Sequence, residues 1–188
     1  MSLVIENPAL GKNLYEFTIE KYHELSLSGL MPRNLELIFG GIVNKMTISP
    51  IHAKVVNKAR RIIMENLPKN FSVRQESPIT VQKLKSEPEP DLCIVEGSED
   101  EYTNSHPTTA IWVIEISNTS LDLDRTKKKI YATADVSTYW IINLMKKEIE
   151  VYTNPMVGDY TTVEVYTIDD TISMPLPLTI SIRLKDLV

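Results

Sequence analysis

The chain has one cysteine, Cys93, and three histidines in 188 residues. A single thiol excludes an internal disulfide framework, and one Cys with scattered His residues lacks the spacing of a zinc site. Cys93 lies in the apolar run Leu92-Cys93-Ile94-Val95 and reads as a buried structural thiol. Long apolar runs are missing too. No stretch approaches the ~18 residues that span a bilayer, and Met1 to Asn13 lacks the basic, apolar, small-residue order of an export signal. These absences point to a soluble, cytoplasmic protein with no membrane partner. A basic excess is also missing. The net charge of −5 argues against a protein that coats nucleic acid, because phosphate binding leaves a cationic footprint. It leaves room for an enzyme that needs only local positive charge and whose carboxylates add to the acidic total.

What is present suffices for one core. With 43% hydrophobic residues, residues 1–188 are read as a single domain with an N-terminal helical segment over 1–30. Apolar spacing predicts a helix over Leu14–Leu27 and strand, turn and strand over Leu35–Met46, with Gly40-Gly41 as the turn. Ser49-Pro50 is a cap followed by a first-turn proline, starting a helix to about Asn66. Two short extended pieces broken by Ser77-Pro78 follow over Phe71–Val81. Glu87-Pro88-Glu89-Pro90 is held extended by its prolines and feeds a strand, Asp91–Val95. The acidic, aperiodic segment 96–108 reads as a flexible surface loop.

Ala110–Ile116 has the continuous apolar, β-branched look of a strand buried on both faces. Asp124 is read as the cap of a helix to about Ala134, and Thr138–Leu144, Glu148–Thr153, Tyr160–Tyr166 and Thr179–Ile182 as strands. A crossover helix within a strand cluster gives an α/β class, a mixed central sheet flanked by helices.

Glu115 interrupts that buried strand. An ionised carboxylate there carries a large desolvation cost unless a cation compensates it. Strand alternation puts Ile111, Val113, Glu115 and Ser117 on one face and Trp112, Ile114 and Ile116 on the other. Asp91 opens the other strongly apolar strand. If the two strands are neighbours, the two carboxylates converge on a hard-oxygen site for Mg²⁺ or Mn²⁺, completed by waters and a main-chain carbonyl such as that of Ile116. Such an ion activates water for phosphodiester hydrolysis. The competing readings are a turn residue for Asp91 and a buried salt bridge for Glu115.

A third group is wanted to position the water, and the run Lys127-Lys128-Lys129 supplies candidates. Lys127 shares a helical face with Ile130, Tyr131 and Ala134, so it leans toward the core while Lys129 points to water. The plain alternative is three solvated charges. His52, on the apolar face of its helix, reads as a packed core histidine in preference to a catalytic one, and Glu36, which could approach the metal from the side, reads first as an exposed strand-end acid.

These residues together resemble the Uma-type restriction endonuclease family of the PD-(D/E)xK superfamily. The likeness runs through Leu35-Glu36-Leu37-Ile38-Phe39-Gly40-Gly41, Ser49-Pro50-Ile51-His52, Ser86-Glu87-Pro88-Glu89-Pro90-Asp91, Val113-Ile114-Glu115-Ile116-Ser117, Asp124-Arg125 and Tyr139-Trp140-Ile141. It implies a restriction-endonuclease-like fold, DNA as substrate, and Asp91 and Glu115 as the metal-binding acids. One departure stands out: the superfamily carries lysine two residues after the glutamate, where this chain has Ser117. In members whose lysine has moved to the next helix, counting back from Tyr131 gives Lys127 and counting forward from Asp124 gives Lys128. Two-fold pairing through the Tyr160–Tyr166 strand would make a homodimer. Besides a DNA endonuclease, the same residues admit a catalytically inactive binding module of the same fold, and a two-carboxylate glycosidase.

Overall fold

A computed structural model describes residues 11, 13–156, 158–174, 178 and 180–188. The first ten residues of the expected helical segment and Thr179 of the expected last strand lie outside the described residues. A six-stranded sheet of order β3-β4-β5-β6-β7-β8 forms the centre. Its strands are β3 (Phe71–Gln75), β4 (Leu92–Glu96), β5 (Trp112–Ser117), β6 (Thr138–Asn143), β7 (Glu148–Met156) and β8 (Asp159–Thr167). Only β5 and β6 pair in parallel. A parallel pair needs a crossover, and here it is the helix α3 (Leu121–Thr133). The expected α/β class with a mixed sheet is the one observed.

Helices cover both faces. On one side α2 (Pro50–Asn66) and the short C-terminal α4 (Leu184–Leu187) bury Val55, Ala59, Ile63 and Leu187 against Leu92, Ile94, Trp112, Ile114 and Ile116. Trp112 and Trp140 meet edge to face at 4.6 Å inside this layer. On the other side Ile130, Tyr131 and Ala134 of α3 pack on Cys93, Val95, Val113, Tyr139 and Ile141. Strand alternation therefore divides the sheet as its sequence requires, with one correction: Ile111 precedes β5 and packs with the Trp112 side. Cys93 is fully buried, and burial pushes its thiol up to about 12.

Ser49 caps α2 by accepting from the His52 amide at 3.3 Å, with Pro50 in the first turn, as the sequence dictates. Other boundaries differ. The N-terminal helix α1 spans Ile19–Leu27, capped by Thr18, while Leu14–Phe17 is irregular and Phe17 donates its amide to the Gly40 carbonyl at 2.8 Å. The hairpin of β1 (Leu35–Ile38) and β2 (Gly41–Asn44) turns on Phe39-Gly40, one residue earlier than expected. Both take positive φ, 50° and 74°, as a two-residue turn with the sheet's own twist demands. Of the two extended pieces expected over Phe71–Val81 only the first is a strand; the second is an isolated bridge, Val81 with Ser86, beside a 3₁₀ turn at Gln82–Leu84. The loop after β4 contains a second 3₁₀ turn, Glu99–Tyr102, closed by a reciprocal Ser98 and Glu101 cap. Helix α3 begins at Leu121, so Asp124 lies inside it and is not its cap. A further pair, β9 (Thr171–Ser173) with β10 (Ser181–Arg183), carries the chain to α4. Among the described residues no helix is long and apolar enough to cross a membrane.

Candidate functional site

The site lies where β4 begins and β5 ends, a coincidence forced by their antiparallel pairing, Leu92 opposite Ile114. Cys93 and Val95 face α3, so the alternation that starts at Asp91 sends its side chain to the same layer as Val113 and Glu115. The Asp91 amide lies 3.3 Å from Glu115 Oε2, and Asp91 Oδ2 accepts the Ile116 amide at 2.6 Å. Ser117, two residues on, gives its carbonyl to Leu144 on the β6 side at 2.9 Å. The N–H and C=O of one extended residue project to the same edge, so the Ile116 carbonyl, like its amide, faces Asp91.

Asp91 is steered by the segment before it. Glu87 donates its amide to the Leu37 carbonyl at 2.7 Å, and Glu89 donates its amide to Glu36 Oε2 at 3.2 Å. These bonds tie the β1–β2 hairpin to the Glu-Pro-Glu-Pro run. They bring Glu36, buried and not the exposed acid expected, into the site. His52, from the first turn of α2, places Nε2 3.1 Å from Asp91 Oδ2, while its Nδ1 is buried without a partner among the described residues. The packed core histidine expected from the sequence is thus a lining residue that holds an acid. Two donors on Oδ2 leave Asp91 Oδ1 with no partner among the described residues.

Helix α3 supplies the cation. Lys127 and Tyr131, four residues apart and so on one helical face, both reach Glu115 Oε1, the ammonium at 3.2 Å and the phenol at 2.9 Å. Lys127 also meets Glu36 Oε1 at 2.9 Å. Lys128 turns away, pairing with Asp159 at 3.1 Å above the Tyr152 ring. Asp124 joins the cluster, buried and accepting from Ser120 Oγ at 2.6 Å. Ser117 Oγ lies 3.4 Å from Ser120 Oγ. Sequence reasoning missed Asp124 and Tyr131. The helical spacing from Lys127 was the signal for Tyr131, whereas Asp124 was hidden by being read as a cap.

A cavity of about 610 Å³ opens over these groups, with Lys45, Met46 and Ile48 at its rim. Buried negative charge exceeds positive charge at its base. Burial raises the Glu115 carboxyl, Lys127 opposes that, and the Asp91, Asp124 and Glu36 carboxylates raise it further, to about 8. Burial works against the Lys127 charge, yet Glu115, Glu36 and Asp124 hold its ammonium above the ordinary range. Burial likewise raises Asp124, against Lys127 and the Ser120 bond. A carboxyl raised on folding binds more protons in the native state between its unfolded value, near 4.5, and about 8. Its stabilising protonation is complete below that window and lost as pH rises through it. Thermal melts of the protein without divalent ions are expected to show stability falling from pH 5 to pH 8. Glu115→Gln should flatten this fall, and an unchanged profile in that variant would assign the titration elsewhere.

The same excess charge bears on metal binding. Among the described residues no group of three or more His, Cys, Asp and Glu side chains is disposed to hold a metal ion. The oxygens at the β4–β5 end are the Asp91 and Glu115 carboxylates and the Ile116 carbonyl, with the Glu36 and Asp124 carboxylates beside them, hard donors with surplus negative charge and one unpartnered carboxylate oxygen. This chemistry fits a hard divalent cation that keeps several waters.

The Uma2 family, described as "Putative restriction endonuclease", matches residues 19–185. The chain belongs to that family. The crystal structure of a "putative nuclease belonging to DUF820" from Anabaena variabilis aligns with a TM-score of 0.73 at 19% identity, covering 91% of this chain and 97% of that one. At that identity the likeness speaks for the fold. No curated protein matches. In this Uma2 chain the serine two residues after Glu115 carries no charge, and the ammonium beside Glu115 comes from α3.

Proposed function

We propose that this chain is an endodeoxyribonuclease that hydrolyses DNA phosphodiester bonds with Mg²⁺ or Mn²⁺. Asp91, Glu115 and the Ile116 carbonyl would hold the ion, and Lys127 serves as the catalytic cation. The observation that carries this reading is the meeting of Asp91 and Glu115 at one end of the β4–β5 pair, with Lys127 on the glutamate. Bound there, the ion supplies Lewis acidity toward phosphate and a water that loses its proton near neutral pH. In the hydrolysis, water oxygen adds to phosphorus, the bond to one sugar oxygen breaks, and that oxygen takes a proton. Lys127 stands where negative charge builds on the phosphate, and its burial strengthens that interaction. Tyr131 and Lys127 fix the rotamer of Glu115, and His52 with the Ile116 amide fixes that of Asp91. Cutting of DNA that requires Mg²⁺ and stops on chelation tests the reading; sugar hydrolysis indifferent to chelation would sink it.

His52 gives a sharper check. A hydrogen-bond partner behind a metal-binding carboxylate is worth roughly 10–100-fold in metal affinity. His52→Leu is expected to weaken Mn²⁺ binding by that order in calorimetry, and His52→Gln, which keeps a donor, to restore most of it. Equal affinity in all three proteins would remove His52 from the site. A competing reading, a nuclease fold that binds without cutting, draws on Ser117 and on Lys127 already neutralising Glu115. Wild-type protein that takes up no Mn²⁺ would favour it.

A further inference from the structure

Resting on the nuclease reading, we infer that the solvent face of α2 is the track along which the DNA backbone lies as it enters the cavity. The helix carries Lys54, Lys58, Arg60 and Arg61 against one acid, Glu65, in a chain whose net charge is −5. Lys54, Lys58 and Arg61 stand at i, i+4 and i+7 and so form one stripe, on the side opposite the buried Val55, Val56, Ala59 and Ile63. None of the three has an ion-pair partner among the described residues. Some other surface cations do, as Lys21 with Glu24, Lys85 with Glu16 and Lys185 with Asp169 show.

Like charges three and four residues apart disfavour a helix, so the stripe repels itself, and the single acid on it, Glu65, four residues after Arg61, does not offset all three charges. A polyanion would. Lys54 to Arg61 spans about 10 Å at ~1.5 Å per residue. Over about that length one DNA strand presents three phosphates, at ~3.4 Å of helix axis each. The helix also points correctly for the purpose. Its cap Ser49 lines the cavity, as does His52 on the opposite, apolar face, so the stripe begins within about one turn of the cavity-lining end of the helix. Arg33, exposed and also on the cavity wall, continues the positive charge across the opening. A backbone held on the stripe thus runs toward the acids, while the acidic remainder of the surface repels it.

The test is the salt dependence of binding to a labelled DNA duplex, measured in EDTA so that the strand is not cut. Each neutralised phosphate contributes about 0.9 to the slope of log affinity against log salt. The variant Lys54→Ala/Lys58→Ala/Arg61→Ala is expected to lose about 3 from that slope and on the order of 100-fold in affinity. Its hydrolysis of the small diester bis(p-nitrophenyl) phosphate should stay at the wild-type value, and its thermal midpoint should hold or rise as the like-charge repulsion is relieved. A slope unchanged in the triple variant of a protein that cuts DNA overturns the track and leaves the nuclease reading standing. So does a loss of slope found instead in Lys83→Ala/Lys129→Ala, the two lysines of a separate hollow beside the end of α3. A wild-type protein without salt-dependent DNA affinity overturns the track, and the nuclease reading is then decided by its own Mg²⁺-dependent cleavage assay.

Discussion

Asp91→Ala is expected to lower Mg²⁺-dependent DNA cleavage by on the order of 10³-fold, since the Lewis acidity of a bound ion is worth several kcal/mol. Asp91 makes two separable contributions. Its charge would serve the ion, and its Oδ2 accepts from the Ile116 amide and from His52. Truncation leaves that amide unpaired at a cost of about 1–3 kcal/mol, so some loss of stability accompanies the loss of cutting. Asp91→Asn separates the two, because its amide oxygen still accepts from Ile116 while the charge is gone. It should melt near the wild-type temperature and still fail to cut. Gel assays of plasmid cleavage beside melting curves decide the matter; cleavage by Asp91→Asn within tenfold of wild type would mean that no ion sits on that carboxylate.

Lys127→Met is expected to destabilise the protein by about 3 kcal/mol in urea unfolding, and to abolish cleavage. Removing one member of a buried ion pair strands its partners, which costs about 3–5 kcal/mol. Here the stranded groups are Glu36 and Glu115, both buried. The loss should shrink at low pH. Glu115 already favours its protonated form for reasons of burial, and with the ammonium gone it takes a proton more readily still. The comparison variant is Lys128→Met. Lys128 makes a half-exposed pair with Asp159, and exposed pairs are worth about 0–1 kcal/mol. A large effect at Lys128 with a small one at Lys127 would reverse the assignment of the catalytic lysine.

The two lysines show how far the sequence reaches. Counting from flanking motif residues gave Lys127 from one side and Lys128 from the other. The helical face argument chose Lys127, whose side chain lies on Glu115 while that of Lys128 pairs with Asp159. Periodicity succeeds there because a helix's inward face is fixed by its own apolar residues. It failed for Glu36, which stands on a short hairpin outside the main sheet. Its burial comes from a bridge between Leu37 and Glu87, fifty residues away in the chain, and no local pattern records that. Asp124 was misread because helix boundaries are set by backbone bonds that a cap-like residue only suggests. His52 was assigned the right face and the wrong neighbour, since the end of the core that it meets is the acidic one.

By itself the sequence determined the α/β class, the two buried strands, the capped start of α2 at Ser49-Pro50 and which residues of strands and helices share a face, because 2.0- and 3.6-residue periods are local properties of the backbone. It also determined that Glu115 needs a compensating charge, since the cost of burying a carboxylate depends on apolar neighbours visible in the strand. Only the tertiary structure decided that β4 and β5 run antiparallel in the register that sets Asp91 beside Glu115, and that Glu36, His52 and Tyr131 close around them. Strand pairing and helix docking are chosen by the whole core at once, so contacts between segments distant in the chain leave no mark within either segment.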